Sequence, residues 1–502
     1  MYFYWDWYIY TKPISAEVPT KVFNMNRSLC FLCLILLFAA FSCQTTGPES
    51  GGDDPWAQMD TILATIEEPD FPDREWSITD LGAVADSTTD ALPAINKAIE
   101  ACANAGGGRV VIPSGTFYTG GPIHLKSNVN LHLTAGSKLL FSTDPSDYPM
   151  VFTRWEGMEC MNYSPLIYAY QQENIAITGS GVLDGQASND NWWPWSGKDV
   201  YGWKEGMPSQ HDSLNRPDLS RLNTAKVPAR ERILGPGHYM RPNFIQPYDC
   251  KRILIEDVTI RNSPMWVIHP VLSEHVTVRG VRVISHGPNS DGCDPEACKY
   301  VLIEDCYFDT GDDCIALKSG RNQDGRRIGQ AIEQVVVRNC EMKDGHGGVV
   351  IGSEVSGGAR HIYAENCTMD SPNLDRAIRV KTNKARGGTI EHLYFRNIDV
   401  GEVREAVVKI NMLYTHDGEP DVHIPVIRDI VVENVKAKKS EYGLLFIGYD
   451  EEHPIRDVTI RNCTFNGVEK GNSLSHTEDL TLDNLLVNNE PVTKEVGQTS
   501  DQ

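Results

Sequence analysis

The feature that most constrains this chain is an eight-residue unit that recurs nine times between residues 253 and 487. It reads apolar-x-apolar-x-(Asn/Asp/Gly)-apolar-x-apolar. Clear copies are Val301-Leu-Ile-Glu-Asp-Cys-Tyr-Phe, Val335-Val-Val-Arg-Asn-Cys-Glu-Met and Val458-Thr-Ile-Arg-Asn-Cys-Thr-Phe. From Ile253 onward the starts fall 23, 25, 34, 27, 31, 37, 28 and 22 residues apart. Strict alternation argues strand, and Asn or Asp then bends the chain because both tolerate the left-handed backbone. A propeller blade needs about 40 residues or more, and helical repeats need a 3.6-residue period. The spacing therefore predicts an all-β, single-domain, right-handed parallel β-helix. Each unit makes one coil, coils stack at about 4.8 Å, and corner loops vary in length. Sixth positions Val281, Cys306, Cys340, Cys367, Ile398, Val435, Cys463 and Leu485 are expected to form one internal ladder. Their cysteines then act as small buried hydrophobes.

Around this solenoid, placed at 76–490 with a tail at 491–502, the chain divides by composition. Residues 91–105 carry apolar residues at helical spacing and stop at Gly106-Gly107-Gly108, which predicts a short N-terminal helix capping the open end. Residues 44–75 read as a polar tether. Residues 1–24 are aromatic-rich, unlike anything downstream, and read as a misassigned start. Residues 25–43 read as a signal peptide: one Arg, then 12 apolar residues from Cys30 to Phe41, too few to span a bilayer. Ser42 before Cys43 resembles a bacterial lipoprotein cleavage box, with Cys43 as the acylated first residue; the alternative is a plain secretory cut near Ala40 or Ser42. The expected location is thus the periplasm or cell surface as a lipoprotein, or else secretion.

A net charge of -22 excludes nucleic acid or an anionic membrane surface as the main partner. A lipid anchor is then the one expected membrane contact, and a monomer is the expected state. Cys293 and Cys298 are spaced to bridge a loop, but no Cys-x-x-Cys pairs with a second one or with spaced His residues. Neither a metal nor a cofactor is predicted.

Stacked coils allow polar residues to be compared by phase. Asp312 and His346 both fall eleven positions after their unit starts, 301 and 335, so they should project from one face of adjacent coils. Asp313 adjoins Asp312, Asp291 belongs to the coil before, Arg379 and Lys381 alternate on the coil after His346, and Tyr414 follows one coil later. Singly, these read as solvated turn acids or a calcium turn, a surface His and an exposed strand face. Together, in one file, they suit acid–base cleavage of a glycosidic bond in a substrate that carries a carboxylate. Lys318, Arg321, Arg326 and Arg327 read as lining of a groove for an acidic polymer, or as a solvated loop. Trp192, Trp193 and Trp195 read as a sugar-stacking rim or as buried anchors.

In order, Asn289-Ser290-Asp291-Gly292, Gly311-Asp312-Asp313, Gly345-His346-Gly347 and Arg379-Val380-Lys381 resemble the four signatures of glycoside hydrolase family 28, the polygalacturonase family. Ser290 and Val380 stand where the family usually has Thr and Ile. The resemblance runs from about Ser77 to Val487 and includes the Arg154-Trp155-Glu156-Gly157 region. It implies hydrolysis of α-1,4-galacturonosidic bonds of pectin. Asp312 would be the general acid, tuned by His346; Asp291 and Asp313 would hold and deprotonate the attacking water. Asn289, Arg379, Lys381 and Tyr414 would bind the pectic substrate, the two cations holding its carboxylate. Inversion of configuration also rests on the resemblance, because acids one coil apart begin about 4.8 Å apart, closer than the roughly 6.5–9.5 Å usual for inverting pairs. Rhamnogalacturonan or xylogalacturonan hydrolysis stays open here, as do a calcium-dependent pectate lyase and a non-catalytic β-helical carbohydrate-binding protein. The insertion 184–241 is long enough to close one end of a groove, which points to exo-action.

Overall fold

The unit starts pair in the order that their spacing predicts. In the computed structural model, which describes residues 54–415 and 421–492, Ile253 pairs in parallel with Val276 and Val276 with Val301. The series continues through Val335, Ile362, Leu393, Ile430 and Val458 to Leu480. The fold is a right-handed parallel β-helix. The leader, Cys43 included, and residues 493–502 of the tail lie outside the described residues.

Every fifth residue of a unit adopts the left-handed backbone, with φ between 52° and 63° at Asp257, Gly280, Asp305, Asn339, Asn366, Asn397, Asn434, Asn462 and Asn484. Asparagine serves twice at these corners. Besides accepting that conformation, the Asn397 amide donates to Asn366 Oδ1, and the Asn434 amide to Asn397 Oδ1, both at 3.2 Å. The corner leads into a second short strand of the same sheet, as in Lys299–Glu304 followed by Tyr307–Thr310. The remaining strand of each coil joins another sheet, built from Ile315–Leu317, Val349–Gly352, Arg376–Lys381, Ala406–Asn411, Tyr442–Ile447 and Ser473–Ser475.

The sixth-position ladder lies in one core cluster, none of its members more than 2% exposed. All ten described cysteines are free and buried, so Cys293 and Cys298 do not bridge; each faces the core as a hydrophobe.

Two helices precede the main stack. Helix α1 (Pro55–Thr65) corrects the tether reading over its own stretch, while residues 44–53 of that reading lie outside the described residues. Trp56, Met59 and Ile62 pack on the outward-facing Leu302, Val336, Tyr363 and Tyr394 of successive coils. The Arg396 guanidinium lies 3.8 Å from the Trp56 ring, and Glu68 then pairs with Arg279 at 2.5 Å. A polar composition hid an apolar stripe of only three residues, which gains meaning once the outward stripe it covers is assembled. Helix α2 (Leu92–Asn104) is the expected cap: Ala94, Ile95, Ala98, Ile99 and Cys102 enter the core beside the first strands, Glu75–Ser77 and Gly108–Ile112. At the other end, Glu490–Pro491 folds back antiparallel on Leu486–Val487 and pairs part of the last edge.

Candidate active site

The candidate residues meet on the outer face of the second sheet, at turns that stack coil on coil. Asp312 and Asp313 occupy the turn before Ile315–Leu317, and His346 the matching turn before Val349–Gly352. The His346 backbone N–H donates to the Asp312 carbonyl at 3.0 Å, and its Nδ1–H to Asp312 Oδ1, also at 3.0 Å. Glycine is required on both sides. A Cβ at Gly345 would lie 2.6 Å from the Asp312 carbonyl oxygen, and one at Gly347 would lie 2.4 Å from Val350 Cγ2.

Local chemistry explains the two departures from the family pattern. Ser290 Oγ donates to the carbonyls of Ser285 and Gly287 at 2.5 and 2.8 Å and accepts from Gly311 N–H at 3.2 Å. It thus ties the Asp291 turn to the Asp312 turn, a task for any hydroxyl. Val380 points into the core, where Val for Ile is a matter of packing.

Asp291, Asp312 and Asp313 each present an oxygen within 4.8 Å of the others. Protein cations meet them. Arg379 Nη1 donates to Asp313 Oδ1 at 3.2 Å and Lys381 Nζ to Asp313 Oδ2 at 2.5 Å. Lys318 Nζ reaches Asp291 at 3.3 Å and Glu354 at 3.4 Å. In the free protein, Arg379 and Lys381 therefore hold the Asp313 carboxylate in place. The Tyr414 ring covers both, 5.3 Å from Arg379 Cζ and 5.4 Å from Lys381 Nζ.

These neighbours divide the protons unevenly. Burial, then the Asp312 charge, pushes the Asp291 carboxyl up to about 8. Burial also acts to raise Asp312, but the hydrogen bond and charge of His346, with Lys381 and Lys318, outweigh it and hold Asp312 below the ordinary carboxylate range. The same hydrogen bond and the Asp312 charge raise His346 above its usual value. Of the two acids, Asp291 thus holds a proton more readily than Asp312, whose carboxylate leans on His346.

Asn289, Asp291, Asp312, Lys381 and Tyr414 line a cavity of about 400 Å³. Asn289, at φ 54°, accepts from Arg241 at 2.8 Å. Of the basic residues expected in a groove, Lys318 and Arg321 line the cavity, whereas Arg326 and Arg327 do not. The segment is no open loop. It forms α4 (Asn322–Ile328), which turns Arg326 onto the carbonyls of Ala385 and Arg386 and Arg327 onto Glu159 and Asp324. Among the tryptophans, Trp192 is buried and Trp193 and Trp195 pack against the core, so they act as anchors for the insertion. The tryptophan in the cavity is Trp266, with Lys318 Nζ 4.4 Å from its ring.

Sequence reasoning missed Glu156, Arg216, Trp266, Glu354 and Arg386. Glu156 Oε2 accepts from Arg321 and from Arg216, at the start of α3 (Arg216–Thr224), each at 2.7 Å. This clamp joins the insertion to the coil that carries Asp312 and lines one side of the cavity. No repeat phase marks it, because Glu156 and Arg216 lie outside the repeats. Lys318 comes into line with Lys381 only in the folded register, where Leu317 lies opposite Ile351 and Ile351 opposite Val380.

A parallel β-helix that carries a file of acids, an imidazole and a cation-lined cavity defines a class of carbohydrate-cleaving enzymes. Within it, the chain belongs to glycosyl hydrolases family 28, whose model matches residues 236–486. Residues 76–132 match a second model, rhamnogalacturonase A/epimerase, pectate lyase-like. A solved exopolygalacturonase from Thermotoga maritima is 45% identical, with a TM-score of 0.84 over 87% of this chain and 97% of that one. A probable polygalacturonase of Vitis vinifera is 28% identical over 80% of this chain and 76% of its own. An exo-poly-alpha-D-galacturonosidase of Dickeya chrysanthemi is 28% identical over 82% and 71%. The protein is a glycosidase.

Proposed function

We propose that the protein is an exo-acting polygalacturonase that hydrolyses α-1,4-galacturonosidic bonds of pectin. The cavity carries this reading. Five cations line it (Arg216, Lys318, Arg321, Lys381 and Arg386) against four carboxylates (Glu156, Asp291, Asp312 and Glu354), and Asp291 is protonated at rest. A chain of net charge -22 thereby offers local positive charge to a polyanion. The clamp of Glu156, Arg216 and Arg321 on one side of the cavity favours action at a chain end. The exopolygalacturonase and exo-galacturonosidase relatives support the same reading.

Asp312 protonates the leaving glycosidic oxygen. A water held by Asp291 and Asp313 attacks the anomeric carbon from the opposite face and gives up its proton to a carboxylate, so configuration inverts. The productive form needs the acid proton on Asp312 and the charge on Asp291, the reverse of the resting state. Substrate itself drives this exchange: a uronate on Lys381 neutralises one of the charges that hold Asp312 down.

A time-resolved product profile on homogalacturonan and rhamnogalacturonan tests the reading. Exo-action on homogalacturonan gives one short product from the first minutes, its new reducing end β by proton NMR. A ladder of oligomers would mean endo-action, and turnover of rhamnogalacturonan alone would reject the substrate.

A working monomer belongs to the same reading, and light scattering at working concentration tests it. The leader supports export and lipidation at Cys43. Globomycin-sensitive processing and detergent-phase partitioning, both lost in Cys43→Ser, test the anchor.

A further inference from the structure

We propose that a second cavity beside the first is a sugar subsite on the leaving-group side of the cleaved bond. It takes the galacturonate beyond the one held at Arg379 and Lys381. The inference rests on the reading of the main cavity as a galacturonosidase site. The second cavity has a volume of about 420 Å³, and Tyr414 lines both. Its other walls come from successive coils. Lys384 follows the strand Arg376–Lys381, Met412 and Leu413 follow Ala406–Asn411, and Tyr449 and Asp450 follow Tyr442–Ile447.

Direction follows from the order of the coils. Glu156 and Arg216 are held by Arg321 on the coil that carries Asp312, and the second cavity is built from the later coils beyond Lys381. The sugar that is released lies on the side of that clamp, and the rest of the chain leaves over Tyr414 into the second cavity. Coils advance about 4.8 Å each, close to the advance of one pyranose in an extended 1,4-linked chain, so one further sugar reaches Lys384 and Tyr449.

The lining suits a uronate. Leu413 is 55% exposed and, with Met412 and the half-buried Tyr449 ring, offers an apolar bed for the C–H face of a pyranose. Asp450 is engaged within its own turn. Its Oδ1 accepts from the backbone of Glu452 and His453 at 3.0 and 2.8 Å and from His453 Nδ1 at 2.8 Å. Among the described residues Lys384 pairs with no carboxylate, unlike Lys318 and Lys381 in the main site. It is the cation placed to meet the carboxylate of that sugar.

The test measures kcat/KM for Lys384→Ala and Tyr449→Ala on the shortest oligogalacturonide that the wild type cleaves and on the next longer one. Each variant is expected to lose roughly tenfold on the longer substrate, in line with one charge-assisted or stacking contact, and to keep the wild-type rate on the shorter. The shorter substrate doubles as the control for folding, and Lys384→Arg should recover most of the loss. Equal losses on both lengths, or none on the longer, would overturn the subsite. A wild type that cleaves no oligogalacturonide would instead reject the main-site reading.

Discussion

Lys318 Nζ lies 3.3 Å from Asp291 Oδ2, yet the carboxyl beside it is pushed up to about 8. The cation is shared: Glu354 lies 3.4 Å from the same nitrogen. Burial and the charge of Asp312 therefore prevail, and the free protein carries a proton on Asp291 at neutral pH.

Asp291→Asn should therefore stabilise the protein in a pH-dependent way. Below about pH 4 the carboxyl is protonated in folded and unfolded states alike, and the gain is smallest. As pH rises toward 8, the unfolded chain ionises while the folded one keeps its proton, so the wild type loses stability and Asn does not. Calorimetry at pH 4 and pH 8 should show the variant's Tm advantage growing by several degrees, while turnover is lost.

Asp312→Asn should lower kcat by about 10²–10⁴-fold with the fold and most affinity retained. Activity within tenfold of the wild type would reject it as the acid.

His346→Gln should act through Asp312. The raised His346 supplies stability that is fully present below its unfolded value of about 6.5 and is lost as pH climbs through the folded value. The Tm difference from wild type should accordingly be larger at pH 5.5 than at pH 9. The alkaline limb of kcat should also move to higher pH, because the hydrogen bond and charge that hold the Asp312 carboxyl down are then gone. An unmoved limb would reduce His346 to a packing role.

Arg379→Ala and Lys381→Ala should each reduce kcat/KM on free-acid substrate by about ten- to a hundredfold, the worth of a charge-assisted contact. Methyl-esterified substrate should suffer less, the anion being gone. A residual loss is expected there too, because both cations hold Asp313. Equal losses would assign them to positioning Asp313 alone.

Exhaustive chelation should leave activity intact. The acids already face Lys318, Arg379 and Lys381 where a divalent ion would otherwise balance them. A strict calcium requirement, with ultraviolet-absorbing products, would move the assignment to a lyase.

The β-helix was legible in the sequence because its rules are local. Alternation assigns the inward residues, an Asn, Asp or Gly at the fifth position turns each corner, and equal phase places Asp312 beneath His346. Those relations need only the period of a strand and the rise of a coil. The clamp beside the cavity, the burial of Lys318 and the seat of α1 follow no such period. Glu156 meets Arg321 across 165 residues, and Trp56 meets Tyr363 across more than 300. Each depends on where a loop or helix lands on the finished solenoid. Protonation was decided there too: three neighbouring acids are plain in the chain, but which one keeps the proton depends on desolvation and on cations that only the packed coils bring within reach.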